Sequence, residues 1–135
     1  MKDSFVPLHT HSEFSLLDGA IRIKELVGKI KEMGMRAVAL TDHGSMYGAI
    51  EFYTEAREAG IKPIIGCEVY VAPKSRFDKA SKEDKSHHLV LLARDAEGYR
   101  NLMKLVSKGF LEGFYYRPRV DRDLLIEHSN GLIAL

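Results

Sequence analysis

His9-Thr10-His11 sets two imidazoles at i and i+2. On an extended segment alternate side chains share a face, so both rings can point at one ion. The turn Thr41-Asp42-His43-Gly44 offers another imidazole, and Asp18 and Glu68 offer carboxylate oxygens. A mixed His/carboxylate set without thiolate suits Zn, Mn or Fe at a catalytic site rather than a closed structural one. Two or more such ions hold and polarise a phosphoryl group and bring the pKa of a water toward ~7, the requirements of phosphoester hydrolysis.

Each candidate has an ordinary alternative. Asp42 can orient His43, ligate directly, or serve as a turn or N-cap residue ahead of a helix. Asp18 precedes Gly19 and also suits a plain turn. Glu68 lies in a strand between Cys67 and Val69, where an unpaired carboxylate is costly to bury; a metal or a Lys or Arg partner would relieve that cost. A lone H-x-H is a loose motif. What favours a joint site is that H-x-H and T-D-H-G each close an apolar run at the same place in a repeating strand-loop-helix pattern.

The elements that must position them follow from periodicity. A short apolar run at residues 5–8 ends at the H-x-H. Ile23, Leu26, Val27, Ile30 and Met33 keep helical spacing, with Gly34 as a left-handed stop. Ala37–Leu40 is a brief strand running into the Asp42-His43 turn. A helix over about residues 48–59 carries Ile50, Tyr53, Ala56 and Arg57 and stops at Gly60. Lys62–Val71 reads as a strand interrupted by Gly66, and residues 73–86 as a polar loop. Its basic groups, Lys74, Arg76, Lys79, Lys82 and Lys85, lie among acids and suit a solvated loop.

Residues 88–93 form another strand. Asp95 then caps a helix bearing Tyr99, Leu102, Met103 and Val106. Residues 114–120, aromatic and basic with Pro118, read as irregular; Tyr115, Tyr116, Arg117 and Arg119 fit a nucleic-acid contact or surface packing. A short helix near residues 123–128 and a strand over 132–135 complete the pattern. Strands alternating with helices predict a parallel α/β sheet or barrel, with chemistry at the C-terminal strand ends.

His88 begins its strand, the wrong end for a parallel arrangement. Antiparallel pairing with residues 69–72 would return it toward Glu68. His87 and His128 read as solvated, and Cys67 as a small core residue. The last strand has no helix after it, so residues 1–135 read as one incomplete domain of a larger fold.

Composition narrows the classes. A net charge of +1 gives no broad field for a polyanion, so any such binding needs a local cluster or metal ions. The single cysteine excludes an internal disulfide and fits a reducing compartment. The N-terminus has no apolar leader and no stretch is long enough for a membrane span, which predicts a soluble, cytoplasmic chain without a membrane partner.

The segments LHTHSEFSLLDGA, ALTDHGSMYGAIEFYTEAREAGIKPIIGCEVYVAP and HHLVLLARDAEGYRNLMKLVSKGFLEGFYYRPRVD resemble the PHP (polymerase and histidinol phosphatase) family. Residues 44–71 are the most specific part and resemble the N-terminal PHP domain of bacterial DNA polymerase III alpha subunits. The resemblance implies part of a distorted TIM-like barrel, truncated at the C-terminus, holding up to three divalent ions, Zn or Mn.

It implies His9, His11, Asp18, His43, Glu68 and His88 as six of nine ligands, a cysteine and an Asp-x-His pair falling beyond Leu135. It places Asp42 and His43 in the catalytic motif. The implied activity is metal-dependent 3′–5′ exonuclease proofreading within a DNA-directed DNA polymerase whose own catalytic aspartates lie in a later domain. The implied partners are DNA, the remainder of the alpha subunit and other replicative holoenzyme subunits. A small-molecule phosphatase or pyrophosphatase, and a non-catalytic docking platform, are the competing readings; the isolated piece would have weak activity or none.

Overall fold

The computed structural model describes residues 5–16, 18–80 and 85–135. In chain order the elements are α1 (Ile23–Glu32), β1 (Ala37–Leu40), α2 (Ala49–Glu58), β2 (Lys62–Val71), β3 (His87–Ala93), α3 (Ala96–Leu111), β4 (Arg119–Val120), α4 (Arg122–Glu127) and β5 (Leu132–Ala134). Helical spacing buries Ile23, Leu26, Val27 and Ile30 of α1 against Val38 and Leu40 of β1 and Phe52 and Ala56 of α2. A second core forms under α3, where Leu102 and Leu105 meet Cys67, Val69, Leu91, Val120 and Leu124.

The sheet order is β1-β2-β3-β5, with β4 also pairing β2. β1 and β4 run parallel to β2, whereas β2–β3 and β3–β5 are antiparallel. The arrangement is therefore mixed rather than all parallel. The reason is that no helix stands between β2 and β3 among the described residues, and a connection without a crossover helix joins antiparallel neighbours.

β2 is continuous through Gly66, correcting the expected interruption. It changes partners there: Lys62 to Ile65 pair with β1, and Gly66 onward pairs with β3. A Cβ at Gly66 would stand 2.6 Å from the Leu91 carbonyl oxygen, so the close backbone approach at this handover needs glycine. Beyond it, alternation puts Cys67 and Val69 into the α3 core and turns Glu68 and Tyr70 to the other face. The register sets Glu68 opposite Val90 and Tyr70 opposite His88, so His88 joins that face.

Several smaller expectations are corrected. On α2, Ala49, Phe52 and Ala56 form the buried stripe, while Ile50 and Tyr53 fall outside it and are exposed. On α3 the buried set is Gly98, Asn101, Leu102, Leu105 and Gly109, a face displaced from Tyr99 and Met103. His87 is the first strand residue of β3, paired with Val71. His128 is buried at the C-cap of α4. Asp95 does cap α3, accepting from Gly98 N at 2.9 Å.

The loop after β2 is not simply solvated. Lys82 lies outside the described residues, and Lys74 and Lys79 are exposed, but Arg76 is tied down. Its guanidinium donates to Glu112 Oε2 at 2.6 Å and Asp121 Oδ1 at 2.9 Å. Arg119 is buried and donates to the carbonyls of Gly113, Arg76 and Asp78. Both cations thus staple the loop to the end of α3 and to β4.

Burial pushes the Asp121 carboxyl up, but hydrogen bonds from the N–H groups of Arg76 and Leu124 and the Arg76 charge outweigh it and hold it below the usual range. A folded-state pKa lowered in this way stabilises fully above the unfolded value of about 3.9 and ceases to do so as pH falls through the folded value. Asp121→Ala, which strips Arg76 of one partner and α4 of its cap, is expected to cost about 2–4 kcal/mol near neutral pH. Urea unfolding should show that difference shrinking below about pH 4; a cost that persists undiminished at low pH would contradict the assignment.

Candidate metal centre

The H-x-H segment has no regular strand assignment, yet it runs beside β1. Ala39 N donates to Pro7 O at 2.8 Å and Thr41 N to Thr10 O at 2.8 Å. Thr10 N in turn donates to Thr41 Oγ1 at 2.8 Å. These bonds carry His9 and His11 to the C-terminal end of β1, where Asp42 and His43 follow. On the other side, Gly44 N donates to Glu68 O at 2.9 Å and Glu68 N to Asp42 O at 3.1 Å. Three separate stretches of sequence are thereby locked edge to edge around one point.

That point is the Glu68 carboxylate, buried in the floor of the site. Its Oε2 meets His9 Nε2 and, at 2.7 Å, His11 Nε2. Its Oε1 meets His88 Nδ1 and lies 3.6 Å from His43 Nδ1. Asp18 closes the other end, its Oδ2 2.6 Å from His11 Nδ1 and 2.8 Å from His43 Nε2. The antiparallel register delivers His88 as the strand pairing anticipated. The structure thus brings His9, His11, Asp18, His43, Glu68 and His88 together.

The electrostatics follow from this crowding. Burial pushes the Glu68 carboxyl up, but the hydrogen bonds from His9, His88 and His11 overcome it and bring it to about 2. Hydrogen bonds from His11 and His43 hold the exposed Asp18 below the usual carboxylate range. Burial pushes the Cys67 thiol up, consistent with a core role.

The donor set fits divalent ions. Three groups each gather ligand atoms within 4.8 Å of one another: His9, His11 and Glu68; His43, Glu68 and His88; His11, Asp18 and His43. His9 Nε2 and His11 Nε2 stand 3.1 Å apart while aimed at one carboxylate oxygen. Nitrogens that close share a cation more readily than one acceptor. His11 faces a carboxylate oxygen with each ring nitrogen, yet a neutral imidazole has one N–H to give. His43 Nδ1 is buried without a hydrogen-bond partner, and buried polar atoms ordinarily have one.

Asp42 is placed differently from either functional expectation. It is 2% exposed, and its carboxylate accepts from Ser12 N at 2.6 Å, Ser12 Oγ at 2.8 Å and Ser15 Oγ at 2.7 Å. With its oxygens occupied this way it faces neither the His43 ring nor the cluster. Ser15 Oγ also accepts from His43 N at 3.0 Å. Asp42 therefore clamps the loop after His11 onto the strand end that bears His43. Ser12 and Ser15 escaped sequence reasoning; their signal was a pair of serines one and four residues beyond His11, facing a buried acid.

Tyr70 was also missed. Its ring stacks on His43 with centroids 5.9 Å apart and planes 13° from parallel, and meets His88 edge-on at 5.0 Å. Gly44 makes room: its φ is +60°, and a Cβ there would fall 3.0 Å from Tyr70 Cε2 and 2.9 Å from Pro118 Cγ.

The sequence profile of the PHP domain family matches residues 7–135. The chain belongs to the PHP family. Among relatives, DNA polymerase III subunit alpha of Chlamydia trachomatis is 57% identical over 98% of this chain, and that of Aquifex aeolicus 51% over all of it. The chain spans 11% and 12% of the length of those relatives.

Two solved structures share the fold. An amidohydrolase from Chromobacterium violaceum superposes with a TM-score of 0.55 at 30% identity, covering 76% of this chain and 32% of its own. A proposed metal-dependent phosphoesterase from Bifidobacterium adolescentis has a TM-score of 0.55 at 22% identity, covering 77% and 32%, a likeness of fold. The mixed sheet with flanking helices is accordingly part of a PHP barrel.

If Asp42 positions this PHP site rather than reacting in it, Asp42→Ala should weaken Zn²⁺ or Mn²⁺ binding about 10–100-fold, the usual scale for groups that orient ligands. Competition against a chelating dye reads that directly. Ser15→Ala should give a smaller loss in the same direction, and unchanged affinity in both variants would contradict the clamp.

Proposed function

We propose that this chain is the PHP portion of a DNA polymerase III alpha subunit and that its site hydrolyses phosphodiester bonds at the 3′ end of DNA, as a 3′–5′ proofreading exonuclease does. The observation that carries this reading is the convergence of His9, His11, His43 and His88 on the Glu68 carboxylate. The identity to polymerase subunits supports the choice of DNA over other phosphoesters. We extend the proposal to the partners: DNA, the rest of the subunit and the replicative assembly, in the cytoplasm. Among the described residues no helix is long and apolar enough to cross a membrane.

His9, His11 and Glu68 would hold one ion, His43, Glu68 and His88 a second, and His11, Asp18 and His43 a third, with Zn or Mn the metals proposed. Bound there, divalent ions supply polarisation of the phosphoryl group and a water that ionises near neutral pH. The protein's own part is placement and charge. Glu68, already ionised at neutral pH and buried, brings fixed negative charge to the floor of the site. Asp18 holds His11 and His43 at a common acceptor and so fixes both ring orientations. The Asp42 clamp keeps the two histidine-bearing segments in register without entering the reaction.

Small-molecule hydrolysis is the second reading, favoured by the amidohydrolase that superposes on this chain at 30% identity. A comparison of a 3′-recessed duplex with a phosphate monoester separates them. On the polymerase reading, a polypeptide extended beyond Leu135 carries two to three equivalents of transition metal by elemental analysis and prefers the duplex. His9→Ala and His43→Ala should each reduce that cleavage at least 100-fold, the scale on which metal-site groups act, while leaving polymerisation intact. Preference for the monoester would move the assignment to a small-molecule phosphatase. Variants that still degrade DNA at the parental rate would leave the site a structural platform.

A further inference from the structure

We propose that Tyr70 is a positioning residue of the metal centre, its ring holding the His43 and His88 imidazoles in the crossed arrangement in which both share one ion with Glu68. The proposal deepens the metal-dependent reading and rests on it. The three rings form a corner. Tyr70 lies 13° from the plane of His43, with centroids 5.9 Å apart, and 87° from the plane of His88, with centroids 5.0 Å apart. The two imidazole planes are themselves 81° apart, with centroids at 5.3 Å. One phenol ring therefore lies flat against one candidate ligand and meets the other edge-on.

Both imidazoles present Nδ1 to the same carboxylate oxygen. His88 Nδ1 meets Glu68 Oε1, and His43 Nδ1 stands 3.6 Å from it, buried and without a hydrogen-bond partner. Metal-ligating imidazoles are usually oriented by a group that accepts from their second nitrogen. His43 has Asp18 for that purpose. The His88 side chain is 44% exposed, and its one hydrogen bond among the described residues is the bond to Glu68. What fixes the plane of His88 is thus ring packing, and Tyr70 supplies it. The flat contact with His43 adds an electrostatic term, because an imidazole bound to a divalent ion gains positive character and the face of an aromatic ring favours it.

The fold boxes the Tyr70 ring in. It is 8% exposed, on the same face of β2 as Glu68, and the register sets it opposite His88. A Cβ on Gly44 would fall 3.0 Å from its Cε2 and 3.2 Å from its Cδ2, so the turn bearing His43 closes directly on it. The Arg117 guanidinium carbon lies 4.8 Å from its centroid. With its neighbours this close the ring has little room to turn. Its place is set by β2, and it passes that place on to two histidines that arrive from different stretches of sequence.

The test uses the full-length polypeptide that contains this chain. Tyr70→Leu removes the ring and keeps an apolar side chain, and Tyr70→Phe keeps the ring. Under chelator competition, Tyr70→Leu should bind Zn²⁺ about 10–100-fold more weakly at the positions that use His43, the usual scale for groups that orient ligands. The ion at His9, His11 and Glu68 should stay. Tyr70→Phe should hold the parental metal content. With Co²⁺ in place of Zn²⁺, the visible absorption should change in Tyr70→Leu and match the parent in Tyr70→Phe. A crystal structure of metal-free Tyr70→Leu should show the His43 and His88 rings turned from their parental planes. Tyr70→Met carries the same expectations should Tyr70→Leu not fold.

Parental metal content and spectrum in the folded Tyr70→Leu protein overturn the proposal. So does loss of every ion together from a folded variant, which marks a general loosening of the site, and so does an equal loss in Tyr70→Phe, which moves the role from the ring to the hydroxyl. The crystallographic comparison needs no metal, so the two readings fail separately. Displaced rings in Tyr70→Leu, beside a parent that takes up no transition metal, sink the metal centre and keep Tyr70 as the residue that sets both rings. A metal-loaded parent whose Tyr70→Leu variant keeps both rings in place does the reverse.

Discussion

A carboxylate buried in a strand is the constraint around which this structure is organised. Glu68 cannot sit at the base of a sheet without compensation, because burying an isolated charge costs far more than one strand residue returns. Its two oxygens are met by His9 and His11 on one side and by His88 on the other, with His43 close by. No two of these histidines except His9 and His11 are near in sequence. Satisfying Glu68 therefore forces the N-terminal segment, the end of β1 and the start of β3 to one place.

The sheet shows how that demand is met. β2 has to serve β1 with its first half and β3 with its second, and the handover falls at Gly66, two residues before Glu68. Side-chain alternation then divides the strand's duties: Cys67 and Val69 anchor it to α3, while Glu68 and Tyr70 face the site. The stability of the α3 core and the position of the Glu68 carboxylate at the floor of the site are properties of one ten-residue strand. A change that shifted its register by one residue would exchange the two faces and lose both.

Much of this was legible from residue types. The apolar periodicities of α1 and β1 and the capping role of Asp95 appear where the pattern puts them, because they depend on neighbours along the chain. The six metal-ligand candidates do converge, since H-x-H and T-D-H-G are local motifs whose placement at strand ends follows from the alternation of elements. What was not legible depends on tertiary partners. Whether Asp42 would face His43 or Ser12 and Ser15 is decided by a packing contact across about thirty residues of sequence. The same holds for Arg76, whose neighbours in the chain suggest a solvated loop but whose acceptors, Glu112 and Asp121, lie far along the sequence.

Burial also grades across the site in a way that bears on how it is approached. The Glu68 side chain is 5% exposed and those of His11 and His43 18%, whereas those of His88, His9 and Asp18 rise to 44–55%. The floor is thus fixed charge in a dry setting, where electrostatic interactions are strong, and the rim is polar and open to solvent. On the hydrolase reading proposed above, a substrate phosphate would enter from that rim and pass the exposed side before it reached the floor. The site thus grades from a buried carboxylate at its floor to exposed imidazoles and a carboxylate at its rim.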